Sequence, residues 1–351
     1  MKKSMKKVVA AVTAAVMAAS LAACGSSDSA STSSSAAATE ADSSAAASSE
    51  AAGESKAADA SGKTYKIGVL QLVQHSALDA ANEGFVQALD ESGISYEIDQ
   101  QNAAGDAATC TTIAQKFVTD GDDLIFAIAT GAAQAASAET EDIPIVLTAV
   151  TDPAASGLVN SNEQPGGNVT GTSDLTPVAD QIKLIKQILP EAKTVGVLYC
   201  SAESNSQIQV DMAHEACEAE GLVAEDYSVA NSNDIQTVVE SMVGNVDVIY
   251  APTDNTIAAG MATVAMIANE NKLPVICGEQ GMCDAGGLAT YTIDYTELGK
   301  LAGQMAVEIL KDGKNPAEMP IEYYPSDKLK LVVNQETADT LGIDVSGLKV
   351  E

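Results

Sequence analysis

A chain of 351 residues is long enough for two core-bearing domains, and a hydrophobic content of 46% suits a globular body. The formal charge of −31 argues against nucleic acid or an anionic membrane surface as partner. All 18 basic residues are Lys, so no guanidinium is available to grip a phosphate or carboxylate bidentately, and Trp is absent.

The chain starts with "MKKSMKK", continues with the apolar "VVAAVTAAVMAAS" and reaches "LAAC" at Cys24. A basic flank, an apolar run too short to span a bilayer and small residues at its end are the layout of a signal peptide, residues 1–23. Leu21-Ala22-Ala23-Cys24 resembles the bacterial lipobox, which implies cleavage before Cys24 and a lipid on its sulfur. Loss of residues 1–23 removes four Lys and no acid, taking the charge from −31 to −35. Residues 25–63 hold no Leu, Ile, Val or aromatic side chain and cannot bury a core, so 24–63 reads as a lipidated flexible linker.

From Lys63 onward, short apolar runs alternate with helix-period segments. "YKIGVL" predicts a strand. "SALDAANEGFVQALDESG" predicts a helix with Leu78, Ala81, Phe85, Ala88 and Leu89 on one face and Gly93 beyond its end. "SYEIDQ", "DLIFAIAT" and "IPIVLTAV" predict strands, with "AATCTTIAQKFVTDG" and "AAQAASAET" as helices between them. After "GNVTGTSD" the order starts again. "TVGVLYC", "AEDYSVA", "VDVIYAP" and "LPVICG" alternate with the helices "SQIQVDMAHEACEAEG", "DIQTVVESMVG" and "IAAGMATVAMIANENK". Strands apolar throughout and joined by helices indicate parallel sheets covered on both faces.

Four blocks repeat in the same order at offsets of about 120 to 130 residues: "KIGVL" with "TVGVL", "DLIFAIATGAAQAA" with "DVIYAPTDNTIAAG", "DIPIVLTAV" with "KLPVICGEQ", and "GNVTGTSD" with "GLATYTID". The fold expected is therefore α/β, two Rossmann-like lobes with parallel sheets joined by a hinge. Residues 64–173 plus 295–325 form lobe 1, and 174–294 plus 326–351 form lobe 2. Facing strand ends would place both sets of loops in one cleft. Chain crossings are expected near Asp174, near Asp294 and near "YYPSDK".

Five cysteines follow Cys24, namely Cys110, Cys200, Cys217, Cys277 and Cys283, and an odd number cannot all pair internally. Their spacings, with only His75 and His214 besides, do not suit structural zinc, so no metal is expected. Buried free thiols are the simplest reading, with a Cys277–Cys283 bridge as the alternative.

"IGVLQLVQHSALDAANEGF", "IATGAAQAA", "DIPIVLTAVTDP", "GNVTGTSD", "GVLYCSAESNSQIQ", "YAPTDNTI" and "GGLATYTIDYTELG" together resemble the ABC-transporter substrate-binding lipoproteins of the tryptophan-binding type, over about residues 64–335. The resemblance implies a periplasmic-binding-protein type I fold, an extracytoplasmic location and delivery of a small-molecule solute to an ABC permease in the membrane. It also implies an aromatic amino acid as ligand, with the chain held to the cell membrane by its N-terminal lipid. A monomer is expected.

A zwitterionic amino acid needs an anion for its ammonium group and donors for its carboxylate. The anion candidates at strand ends are Asp254, Asp294, Asp174, Asp152 and Glu279. Asp254 aligns with Thr130, and both positions suit a helix cap. Thr suffices in the first copy, so the charge of Asp254, with Thr253 and the amide of Asn255 beside it, points to a ligand. With no Arg, and no Lys between Lys116 and Lys183 or between Lys193 and Lys272, the carboxylate falls to helix-start amides and hydroxyls. Thr130 with the amides up to Ala133 is one such cradle and Ser206 another, followed by Ser173 and Thr151. Gln71, His75 and Tyr199 come from the first strand ends of the two lobes. His75 is a pocket residue or a helix-flanking surface residue, and Tyr199 a stacking or an interface residue. Glu203 and Asn205 are placed on the rim.

No G-x-G-x-x-G, P-loop or G-x-S-x-G element is present, so neither catalysis nor a cofactor is expected. The alternatives are a binding protein for a neutral nucleoside or a sugar, or a ligand-sensing domain for a membrane receptor.

Overall fold

The computed structural model describes residues 62–348. The signal peptide, Cys24 and nearly all of the linker lie outside the described residues.

The chain opens with β1 (Thr64–Gln71), α1 (Ser76–Ser92), β2 (Ser95–Asn102), α2 (Ala107–Asp120), β3 (Leu124–Ile128), α3 (Thr130–Glu139), β4 (Ile145–Val150) and β5 (Val169–Ser173). α1 stops at Gly93, which takes the left-handed conformation at φ 71° that a side chain would resist. α2 starts where Asp106 accepts the Thr109 amide at 2.7 Å. After β5 come α4 (Val178–Ile188), β6 (Thr194–Cys200), α5 (Ser204–Ala219), β7 (Val223–Val229), α6 (Ile235–Met242), β8 (Val248–Ala251), α7 (Asn255–Ala259), α8 (Met261–Glu270), β9 (Val275–Cys277), α9 (Gln280–Asp284) and β10 (Ala289–Thr292). The chain closes with α10 (Tyr295–Asp312), β11 (Glu322–Tyr323), β12 (Lys330–Val333) and α11 (Gln335–Leu341).

The strands form two six-stranded sheets, β11-β5-β4-β3-β1-β2 and β12-β10-β9-β8-β6-β7. The first is parallel throughout; in the second only the β10–β12 pair is antiparallel. Strands taken in chain order occupy the same places in both sheets, as the repeated blocks predict. The chain passes from the first sheet to the second after β5, returns after β10 and crosses again after β11. Asp294 and Lys330, at the start of α10 and of β12, are joined by an ion pair of 3.1 Å.

Burial follows the two-residue strand period. In the second sheet, Val195, Val197 and Tyr199 of β6 join one core with Val248 and Tyr250, while Leu198 and Cys200 join another with Ile249 and Ala251. Both faces are thus covered, and β3, "LIFAI", is buried at every position. In the first lobe Phe85 of α1 stacks on Phe126 of β3 with ring centroids 3.7 Å apart. α10 lies along α1 so closely that a Cβ built on Gly299 would stand 1.8 Å from the Ala81 carbonyl oxygen, and one on Gly84 1.9 Å from that of Thr296.

The segment predicted as one helix from Ile257 is divided: α7 ends at Ala259 and α8 begins at Met261. Gly260, a poor helix former, stands at the joint with φ −97° and ψ 6°, off the helical values, and Ile235 Cδ1 of α6 packs into the space left by its missing side chain, 2.3 Å from a built Cβ. All five described cysteines are free and buried, so the Cys277–Cys283 bridge is not formed. No helix among the described residues is long and apolar enough to cross a membrane.

Candidate ligand-binding site

The carboxyl ends of both sheets face one cleft. The inner part is walled on the first-lobe side by His75 and Leu78 at the start of α1, Ala149 and Thr151 at the end of β4, Asp174 just after β5, and Tyr295 opening α10. The second lobe contributes Asn205 of α5, Thr253, Asp254, Asn255 and Ala258 around the start of α7, and Glu279 before α9. In this arrangement the lobes are drawn together. His75 Nε2 lies 3.2 Å from Asn255 Oδ1, and Gln209 donates to Thr151 Oγ1 at 3.4 Å. The enclosed space is about 10 Å³, the room of a single water.

Three buried carboxyl groups line this space, with no lysine beside them. Asp254 is bonded at both oxygens. Oδ2 accepts from the Cys200 amide at 2.6 Å and the Ser206 hydroxyl at 2.7 Å, and Oδ1 accepts the Ile257 amide at 2.8 Å as the cap of α7. Burial, then the charge of Glu203, raises its pKa against those three donors. Glu279 accepts the Met282 amide at 2.7 Å and the Gly281 amide, capping α9; burial pushes it up to about 7. Asp174 accepts from the Tyr295 hydroxyl at 2.9 Å through Oδ2, while Oδ1 is buried without a hydrogen-bond partner. Burial pushes this acid up to about 6, against the Tyr295 hydroxyl, its own amide and the nearby Thr151 hydroxyl. The imidazole of His75 is held below its usual range by burial, against Asn255, Glu203 and Asp79.

Of the residues singled out in the sequence, His75, Thr151, Asp174, Asn205, Thr253, Asp254, Asn255 and Glu279 come together on the inner wall. Asp294 stands in a neighbouring recess with Ser76 and Gln280, where it caps α10. The others are turned to structural tasks. Gln71 donates to Asp79 at 2.7 Å and to the Val73 carbonyl at 3.0 Å. Asp152 accepts the Ala154 and Ala155 amides and the Asn162 side chain within its own loop. Ser173 donates to the Thr151 carbonyl at 2.7 Å, and Ser206 lies inside α5, donating to Asp254. Tyr199 is in the second-lobe core and lines neither cavity of the cleft.

The expected cradle at Thr130 to Ala133 needs correction. α3 starts one residue earlier relative to the repeat, so Ala129 is its cap residue and Thr130 caps nothing. The Ala133 amide is already bonded to the Ala129 carbonyl at 3.0 Å. Ala129 has φ 81° and Ala149 has φ 54°, conformations uncommon for alanine; Ala129 follows β3 in the core and Ala149 lies on the inner wall of the cleft.

Glu203 is more than a rim residue. It accepts from Asn255 at its amide (3.1 Å) and side chain (2.8 Å), and from Thr256 at its amide and hydroxyl, both at 2.8 Å. Four donors on one carboxylate fix the start of α7. Leu78, Ala149, Ala258 and Tyr295 were not signalled as wall residues; of these, only Tyr295, next to the crossing at Asp294, stood beside a recognised feature.

Beyond Asn205 and Asn255, which belong to both, the cleft widens into an outer cavity of about 340 Å³. Its wall includes Leu72, Val73, Ala104, Cys110, Ala202 and Cys200, again without a lysine.

Comparison with known proteins places this geometry. Residues 66–348 match the family model described as ABC transporter substrate binding protein. The chain is 43% identical over 292 residues to a tyrosine-binding protein of Clostridioides difficile, covering 82% of this chain and 84% of the relative. It superposes at a TM-score of 0.78 on an ABC domain from Streptococcus pneumonia in complex with L-Trp, at 39% identity over 81% of this chain and 96% of that one. A ligand-free, open structure of a substrate-binding protein with adhesive properties from Clostridium difficile matches at 44% identity over 82% and 97%, with a TM-score of 0.63. The lower score at the higher identity accords with a cleft that is drawn shut here.

Proposed function

The chain belongs to the ABC transporter substrate-binding protein family, and on that premise we propose that it binds an aromatic amino acid in the inter-lobe cleft for delivery to a membrane permease. The observation that carries the reading is the inner wall: buried carboxyl groups, amides and hydroxyls from both lobes, with no lysine. Such a wall favours a small ligand bearing a cationic group and disfavours phosphates and dicarboxylates. The outer cavity, lined by Leu72, Val73 and alanines together with Asp106, Gln134, Asn231 and Ser232, suits a side chain with an apolar body and a polar edge extending from that polar head. The tyrosine-binding relative and the L-Trp complex support an aromatic one. With about 10 Å³ in the inner space, the ligand enters only when the lobes part about the three crossings.

The same reading makes the protein a binder and not an enzyme, exported by residues 1–23, held to the membrane by a lipid on Cys24 and acting as a monomer. A ligand at 100 times its Kd stabilises the folded state by about 2.7 kcal/mol. L-tyrosine, L-tryptophan or L-phenylalanine should therefore raise the melting temperature by roughly 4–5 °C. No shift with any of them, alongside a shift with a nucleoside, would sink the amino-acid reading. Cys24→Ser should move the protein from the membrane to the medium; equal membrane retention would count against the anchor.

A further inference from the structure

Among the described residues, two of the inner-wall side chains carry a buried polar atom without a protein partner: Asp174 Oδ1 and His75 Nδ1. Asp254, the acid that the sequence favours for a ligand, has neither oxygen unbonded. Buried polar atoms in folded proteins are almost always satisfied by protein, water or ligand, so these two atoms, with the Thr151 hydroxyl near Asp174, mark where a bound group would complete the wall.

The hydrogen-bonding character of each can be assigned. Glu203 accepts from Asn255 Nδ2 at 2.8 Å, and a carboxylate only accepts, so the amide orientation of Asn255 is fixed. Asn255 Oδ1 therefore faces His75 Nε2, 3.2 Å away, and Nε2 must be the protonated nitrogen. A buried, neutral imidazole protonated at Nε2 leaves a bare lone pair at Nδ1. Asp174 Oδ1 is likewise an acceptor. Two acceptors on one wall, with no cationic side chain near, call for a ligand group with several N–H donors and a positive charge. A metal ion is not matched, because no group of three or more His, Cys, Asp or Glu side chains among the described residues is arranged to hold one.

We propose that the ammonium group of the ligand is held by Asp174 Oδ1 and His75 Nδ1, so that the first lobe recognises it and Asp254 serves to build the second-lobe wall. Both residues lie on the first-lobe side of the cleft, after β5 and after β1. Closure contributes by setting the tautomer: Asn255 of the second lobe reaches His75 only when the lobes meet. This rests on the reading that the ligand is an amino acid, and the test separates the two.

Calorimetric titration of the whole protein with L-tryptophan and L-tyrosine, each against its counterpart lacking the α-amino group, reads the ammonium site directly. The unaltered protein should prefer the amino acid by about 100-fold or more, the scale of truncating one partner of a buried charged pair. In Asp174→Asn that preference should collapse to within roughly threefold. His75→Gln keeps a donor where Nε2 stood and removes the δ acceptor, so it should cost about tenfold of the preference; His75→Asn restores a δ acceptor and should regain part of it. A folded Asp174→Asn protein that keeps its full preference overturns the proposal while leaving the amino-acid reading in place. An equal loss for both members of each pair also overturns it, since that marks a structural role. If Asp174→Asn does not fold, an undiminished preference in His75→Gln is the refuting result. No binding of either amino acid by the unaltered protein overturns the reading and the proposal together.

Discussion

The contact between α1 and α10 offers a quantitative test of how the first lobe is held. In Gly299→Ala the new Cβ would lie 1.8 Å from the Ala81 carbonyl oxygen, which is helix backbone and cannot rotate away. A carbon–oxygen contact needs about 3.3 Å, so the helices must part by roughly 1.5 Å. A gap of ~1 Å already forfeits up to half of the dispersion energy of each facing pair. The face affected carries Leu78, Ala81, Phe85 and Ala88 against Leu298, Ala302 and Met305, all buried. We take the loss as about 3–5 kcal/mol, offset by ~1 kcal/mol of better helix propensity, for a net destabilisation of roughly 2–4 kcal/mol. Scanning calorimetry should show the melting temperature lowered by about 3–7 °C. Gly84→Ala should act alike, because its Cβ meets the Thr296 carbonyl oxygen at 1.9 Å. The double variant should cost clearly less than the sum, since one displacement relieves both clashes. Ligand affinity should fall too, because α1 begins at the His75 wall and α10 at Tyr295. A melting temperature unchanged within 1–2 °C in both single variants would refute this account of the packing.

Three further outcomes are expected. Asp174 and Glu279 have native pKa values of about 6 and about 7, above the ordinary 3.8 and 4.5, so the folded, ligand-free protein binds more protons than the unfolded chain between them. Their contribution to stability is fully present near pH 4 and is lost as pH rises through 6 and 7, on the order of 1–3 kcal/mol for each group. Denaturant titrations from pH 5 to pH 8 should show the decline against the opposite slope contributed by His75, and Asp174→Asn should flatten it; a slope unchanged in Asp174→Asn would contradict the burial assigned to that acid. Lys330→Ala breaks an ion pair whose members are 52% and 30% exposed, so it should cost no more than about 1 kcal/mol, and a larger loss in chemical denaturation would mean that the pair does more than join two crossings. All five described cysteines are core residues, but Cys110 and Cys200 also line the outer cavity, whereas Cys217, Cys277 and Cys283 do not. Thiol labelling followed by mass spectrometry should find the first two modified sooner and protected by bound amino acid, and a uniform rate for all five would count against the cavity.

How far the sequence leads depends on how local each cause is. β3 is legible because both of its faces are covered and it reads as an unbroken apolar run. The repeated blocks are legible because the two lobes use the same strand order. The division of the helix has a local signal, Gly260 inside a helical pattern, whereas the packing of Ile235 against it from 25 residues away has none. The mismatch between Asp254 and Thr130 follows from a one-residue offset in helix start, set by the backbone turn at Ala129. Most instructive is Asp254 itself. Charge at a helix start reads as a ligand contact, yet two of its three donors, Cys200 of β6 and Ser206 of α5, lie about 50 residues back. Asp174, next to a crossing, reads as part of a hinge; only its surroundings reveal an unsatisfied oxygen.

The three crossings bear on biosynthesis as well. The first sheet needs α10 to cover α1 and β4, and β11 to flank β5, yet these are made only after nearly the whole second lobe. The second sheet in turn waits for β12 beside β10. A ribosome therefore releases almost the entire polypeptide before either lobe can be completed.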